Sequence, residues 1–229
     1  MFESDVAHWD GTTRPDSLKD EYAARRHRLA DAARDADWAT VFGVLDEVRA
    51  KVNAHWVNSA RLGGPSGYTP LHQAAWHGAP ADVVQRLLAL GAWRTLRTGD
   101  GSRAVDIAGQ RGHHHLAALL RPEIRHHLPY DEIGPLRHHL HRLIRHRAPR
   151  KDGTDLATGQ GLRLPEVEVL TELRHPACWF PVPGMYGGFA IELTGRELKV
   201  DSWIRIVDGS ERTDRVTADG VHLQEGGLL

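Results

Sequence analysis

Gly184, Gly187 and Gly188 stand within WFPVPGMYGGFAIELTG, residues 179–195. Their spacing raises the question of a phosphate cradle. Such a cradle needs a following helix whose N-terminal amides face the phosphates, or a lysine followed by Ser or Thr. Here the spacing is GxxGG, and the glycines lead straight into the alternating FAIEL. The pattern therefore predicts a proline- and glycine-shaped entry into a sheet, with Met185 and Tyr186 at an exposed tip suited to partner contact.

Three further groups have chemical potential. The 16 histidines are unusual for this length, and nine fall between His113 and His146. His113, His114 and His115 are consecutive, so on a helix they point in three directions and cannot hold one metal together. His138 and His141 have i, i+3 spacing and offer two ligands, whereas zinc takes three or four. Solvated or pH-sensitive histidines are the expected outcome. Cys178, in RHPACWFP with His175 nearby, lacks an evident orienting third group and is expected to be a small buried hydrophobe. The stretch RHHLHRLIRHRAPRK (137–151) is basic, with eight Arg/Lys against three acids across 121–151. Tyr130 is its one aromatic, which leaves little to stack bases. A solvated face or a docking surface for an acidic partner is expected there, and nucleic acid is disfavoured. No catalytic residue, cofactor site or metal site is assigned.

Composition limits the classes further. The chain has 229 residues, 41% hydrophobic and 26% charged, with a formal net charge of −1. No global field draws in nucleic acid or membrane. One cysteine excludes an internal disulfide and fits a reducing cytoplasmic setting. The N-terminus has no apolar signal core, and no segment is long and apolar enough to span a membrane. Only four lysines accompany the many arginines, a usage that suggests a GC-rich bacterial source.

The elements that must position any site show internal repetition. GYTPLHQAAWHGAPADVVQRLLALGA (67–92) overlays GSRAVDIAGQRGHHHLAALL (101–120) at a spacing of 34, aligning Gly67 with Gly101, Ala74 with Ala108 and Gly78 with Gly112. Thr69 suits a helix N-cap, Pro70 the first helical position, and Gly91 a C-cap. Val83, Val84, Leu87 and Leu88 give a second helix one apolar face. A weaker copy, LADAARDADWATVFGVL (29–45), aligns at an offset of 42, with the extra length in NAHWVNSARLGGPSG. An insertion of that kind is expected on an exposed face.

The TPLH, AA and G positions of the middle copy (Thr69, Pro70, Leu71, His72, Ala74, Ala75, Gly78) resemble the ankyrin repeat. The resemblance covers roughly residues 28–121 and implies about three stacked helical pairs. It also implies that His72 is a structural hydrogen-bonding histidine. In that family, partner contacts concentrate on the hairpin tips and the exposed side of the first helix. Carried to this chain, they are Ser66, Tyr68, Trp76 and His77, then Asp100, Ser102, Gln110 and Arg111, with Arg34 and Asp35 as weaker counterparts.

Leu136, Leu140, Leu143 and Ile144 form an apolar stripe at helical spacing, so 122–147 is expected to cap the stack. Residues 148–161 read as a linker. From 162 onward, FAIEL, LKVDSWIRIV, RTDRVT and VHLQE alternate between turns, predicting a four-strand antiparallel meander. VEVLTEL (167–173) suits a further strand or a short helix. The expected fold class is thus α+β: an ankyrin-type solenoid of about three repeats with a helical cap (1–147), a linker, and a β-module (162–229). The expected function is non-catalytic binding of another protein, as an adaptor or immunity-type protein. Alternatives are a small enzyme or ligand-binding protein with a cleft between the ankyrin stack and the β-module, involving Tyr186, Trp203 and Arg205, or metal or nucleic-acid binding through 126–147.

Overall fold

The computed structural model describes residues 6–52, 55–148, 162–182, 187–204 and 210–223. They fall into two compact units, one of residues 13–123 and the other of residues 1–12 together with 124–229.

The first unit is helical. It comprises α1 (Asp20–Arg34), α2 (Trp38–Val52), α3 (Pro70–His77), α4 (Ala81–Ala89), α5 (Ala104–Gln110), and a 3-10 turn (His114–Leu116) running into α6 (Ala117–Leu120). Helix α3 packs between α1 and α5, while α2 lies on α1 and α4 on α3. Close approach of the inner helices is set by small residues: Ala32, Ala33, Ala74, Ala75 and Ala108 are all buried in one core with Leu29, Leu71 and Ile107.

One turn recurs at the end of each inner helix. The Asp37 N–H donates to Ala32 O at 2.8 Å, Ala79 N–H to Ala74 O at 2.9 Å, and His113 N–H to Ala108 O at 2.8 Å. The residue before each donor has positive φ: Ala36 at 57°, Gly78 at 60° and Gly112 at 76°. These positions coincide under both sequence offsets, 42 and 34. Ala36 thus adopts the left-handed conformation without glycine's freedom.

The start of each inner helix is also built twice from one plan. Thr69 caps α3, and the buried His72 accepts at Nδ1 from the Thr69 N–H (3.2 Å) and contacts the Thr69 hydroxyl (2.8 Å). Its Nε2 lies 3.0 Å from Leu96 O. Since that acceptor is a carbonyl, Nε2 carries the hydrogen. At α5 the sequence substitutes Arg103 for Thr and Asp106 for His, yet Asp106 accepts from the Arg103 N–H at 2.9 Å, so the cap survives in different chemistry. The Asp106 side chain is also gripped by the Arg103 guanidinium at 3.0 and 3.1 Å.

The insertion following α2 is not an exposed loop. Trp56, Val57 and Leu62 are buried. The fully covered Arg26 donates to Ala60 O and lies over the Trp56 ring. Asn58 ties the insertion to the 91–93 turn through Gly91 O and the Trp93 N–H. Aromatic and aliphatic residues at 56, 57 and 62 have enough apolar area to override the loop-like composition around them.

The second unit holds a six-stranded sheet in sequential order: β1 (Ala7–His8), β2 (Ala177–Val182), β3 (Gly187–Thr194), β4 (Glu197–Ile204), β5 (Ser210–Val216) and β6 (Val221–Leu223). Strand β1 pairs with β2 in parallel and all later pairs are antiparallel. Helices α7 (Tyr130–Arg147) and α8 (Val167–Glu172) accompany the sheet. VEVLTEL is therefore a helix.

Two further expectations need correction. The stripe Leu136, Leu140, Leu143 and Ile144 is buried on one helix as predicted, but α7 belongs to the sheet's unit and packs on α8, β4, β5 and β6. The unit boundary therefore falls at 123/124 rather than 147. Periodicity identifies an apolar stripe but not its partner. The meander also gains strands β1 and β2. Pro181 lies in β2 opposite Gly188, beyond the two residues where β1 pairs, so its missing N–H disrupts no ladder bond on that side. Residues 149–161, nearly all of the expected linker, lie outside the described residues.

The recurring turn makes a direct prediction for stability. A Cβ on Gly78 would sit 2.4 Å from His113 Nδ1, whereas nothing lies within 4 Å of one on Gly112. Gly112→Ala is expected to cost about 1–2 kcal/mol through the left-handed backbone alone. Gly78→Ala adds displacement of the His113 ring and is expected to cost about 1 kcal/mol more. Ala36→Gly is expected to raise stability by up to about 1 kcal/mol. Urea denaturation of the three variants checks the order.

Candidate functional site

Helix α3 ends at His77, and the left-handed turn at Gly78 leaves its last residues facing outward. Trp76 is 39% exposed, a large value for an indole in the middle of a helical stack. The Arg111 guanidinium carbon lies 4.1 Å from the Trp76 ring centroid, a cation–π distance. Tyr68 also meets Trp76 edge-on, with centroids 6.2 Å apart and planes at 67°. Tyr68 in turn lies against the His72 ring at 5.9 Å and packs on the core. Three of the residues assigned from the resemblance therefore make one continuous Tyr–Trp–Arg cluster. Among the described residues, Arg111 has no carboxylate partner.

Asp100 and Ser102 lie on the neighbouring hairpin tip. Asp100 accepts from the Thr98 hydroxyl and from the Ser102 N–H at 3.1 Å, and these bonds hold its carboxyl below the usual carboxylate range. Burial raises the Tyr68 hydroxyl pKa; the Asp100 charge acts in the same direction and Arg111 opposes it. Asp100 and Arg111 thus bracket Tyr68 electrostatically. Ser66 is exposed, and its carbonyl accepts the Gly99 N–H at 2.7 Å, which joins the two hairpin tips. A Cβ at Gly99 would lie 2.3 Å from Pro65 O, so this close approach needs glycine. Gln110 is exposed beside Arg111.

His77 is committed elsewhere: its Nε2 bonds Arg34 O at 2.8 Å and its ring meets Trp38 at 6.4 Å. Arg34 and Asp35 pair with one another at 2.9 Å. Trp38 and His113 are contributors that sequence reasoning missed. His113 reaches Trp76 O through Nε2 at 3.1 Å and so supports the backbone under the exposed indole. Trp38 aligns with Pro80 under the offset of 42, so the repeat carried no signal for it. Met185 and Tyr186 lie outside the described residues, as do Arg205 and Gly184.

The other candidate groups resolve into structure. Cys178 is fully buried, and burial alone pushes its thiol up to about 12, so it stays protonated and is no nucleophile at neutral pH. Gly187 and Gly188 run in β3; a Cβ on Gly188 would meet Phe180 O at 2.3 Å, so close strand approach explains that glycine. His141 donates to Pro165 O at 2.8 Å, and His126 to Leu173 O at 3.0 Å. Among the described residues, no three His, Cys, Asp or Glu side chains group as metal ligands would. Nor is any helix there long and apolar enough to cross a membrane.

With this geometry in place, comparison with known proteins gives a family for part of the chain. Residues 66–98 match the ankyrin repeat, the span that includes Ser66, α3 and α4. Repeats of this family in general mediate binding to other proteins. The chain is also 29% identical over 103 residues to squamosa promoter-binding-like protein 1 of Oryza sativa subsp. japonica, covering 42% of this chain and 12% of that relative's length.

His141 supplies a pH test. Burial lowers its pKa below the ordinary value, with the charges of Arg145 and Arg137 acting the same way, while the bond to Pro165 O and the Glu168 charge oppose. The unfolded chain therefore takes up this proton first as the pH falls. Stability is full above about pH 6.5 and declines as pH drops from there toward the lower folded value. His141→Gln, which keeps an N–H donor but does not titrate there, is expected to flatten that decline in denaturation midpoints measured between about pH 7 and 5.

Proposed function

We propose that this chain is a non-catalytic protein-binding protein whose contact face is the exposed Tyr68–Trp76–Arg111 cluster, extended by Ser66, Asp100, Ser102 and Gln110. The observation that carries the proposal is the exposed Trp76 indole in contact with Tyr68 and with Arg111, which has no carboxylate partner among the described residues. Trp, Tyr and Arg are the residues that dominate interface energetics. Exposed aromatic area held in one rotamer loses little entropy on association.

The three closing turns and the two equivalent helix caps support a stack of three ankyrin-type repeats, spanning α1–α2, α3–α4 and α5–α6. Such a stack presents successive helix ends and hairpin tips side by side, which gives one partner a continuous rigid surface. An adaptor or immunity-type role in a bacterial cytoplasm is the concrete form of the proposal. It rests on the ankyrin repeat match and on the exposed Tyr68–Trp76–Arg111 cluster.

Tyr68 packs on the core, so the informative substitutions are Trp76→Ala and Arg111→Ala. A partner captured from the native host by the wild-type chain is expected to bind the double variant at least about 30-fold more weakly, the loss expected of a hot spot. The melting temperature should change little. Undiminished binding by a folded double variant would falsify the assignment of this face.

A further inference from the structure

A second site lies entirely within the sheet unit and shares no residue with the Tyr68–Trp76–Arg111 cluster. The last turns of α7 and the sheet face formed by β5 and β6 enclose a pocket of about 380 Å³. The strand register sets its far wall. Asp214 pairs with Leu223 and Val216 with Val221, so Asp214, Val221 and Leu223 project from the same face, as does Arg212 two residues before Asp214. Leu143 of α7 faces them, and the pocket's walls are mainly apolar. Leu223 remains 52% exposed there, an uncovered aliphatic side chain beside a cavity.

Charge around this cavity is one-sided. Arg147 bonds the buried Asp214 at 2.6 Å, which neutralises both at the pocket's floor. Arg142 and Arg212 remain at the rim with His146 between helix and strand. Both arginines are exposed, and among the described residues neither makes an ion pair. Cations in the last turn of α7 complement the helix dipole. That explanation does not extend to Arg212, which lies on a strand and converges on the same cavity. Two guanidinium groups that line one cavity, without an ion-pair partner among the described residues, leave a local excess of positive charge that an anion would offset. A guanidinium fork matches a carboxylate in geometry as well as charge.

We infer that the α7–β5–β6 pocket binds a small amphiphilic carboxylate, its head between Arg142 and Arg212 and its apolar body against Leu143, Val221 and Leu223. The cavity exceeds what an inorganic anion fills, and its walls offer an apolar tail the burial that water denies it. The inference stands apart from the repeat face, because no residue is shared.

Decanoate and the uncharged 1-decanol serve as probes, titrated calorimetrically into the full chain. Saturable one-to-one binding of decanoate at least about tenfold tighter than decanol is expected, since the charge-assisted pair is available only to the acid. Arg142→Gln and Arg212→Gln, made separately and together, are expected to remove that preference. Arg145→Gln, on the same turn but outside the pocket lining, should retain it. Equal binding of decanol, undiminished binding by a folded double variant, or no saturable binding would each overturn the assignment. The Arg142 and Arg212 side chains are exposed and make no hydrogen bond or ion pair among the described residues, so circular dichroism is expected to be unchanged in their variants.

Discussion

The left-handed turn that closes each inner helix is the constraint on which the helical unit depends. Its backbone bond, from the N–H after the turn to a carbonyl five residues earlier, fixes where the helix stops and sends the chain back along its outer partner. The acceptors are Ala32, Ala74 and Ala108, all with little or no exposure. Small side chains at those positions allow neighbouring helices to approach, and the turn fixes their height relative to one another. The residues immediately before the turn then have no room to face inward. That is why Trp76 is exposed although its type favours burial, and why Arg111, just before Gly112, comes to rest on it.

Histidine abundance has its explanation in the same economy of short links. His72, His77, His113, His126 and His141 each place Nε2 near a backbone carbonyl outside their own element, at Leu96, Arg34, Trp76, Leu173 and Pro165 respectively. Helix ends and loops leave carbonyls without partners. A planar ring with one N–H reaches such a carbonyl across a helix–helix gap at modest entropic cost and without burying a charge. The histidines therefore act singly and locally, which is a different use from the clustered one that a metal requires.

What could be read in the sequence follows from which interactions are local. Thr69, Pro70 and Gly78 encode caps through their own backbone geometry, so α3 was legible residue by residue. Asp106 occupies the place of His72, and its capping role could be found only once the repeat supplied the alignment. The stripe on α7 was equally legible as a stripe. Its packing partner was not, because an apolar face fits a sheet as well as a helix. Strand β1 is two residues long and depends on pairing with residues about 170 positions away, a distance at which no local pattern exists. In β2, Pro181 hid the strand because proline argues against a central position, and the absence of a β1 partner opposite it is a tertiary fact. The Arg142–Arg212 pairing was invisible for the same reason: the basic run on α7 is evident, but the arginine it faces comes from a strand 70 residues later.

The two exposed arginine sites differ in how their guanidinium groups are held, and that difference bears on what each can recognise. The Arg111 guanidinium carbon lies over an indole, 4.1 Å from the Trp76 ring centroid, so its charge and the aromatic surface are presented together. An extended protein surface can meet such a pair, since aromatic and charged contact come together over a wide area. Arg142 and Arg212 make no cation–π contact among the described residues and line one cavity, the first from α7 and the second from β5. A shared cavity suits a small anionic head better than a broad surface. On the two proposed readings the same residue type would serve two recognition geometries, set by the supporting fold, a helix end in one unit and a strand facing a helix in the other.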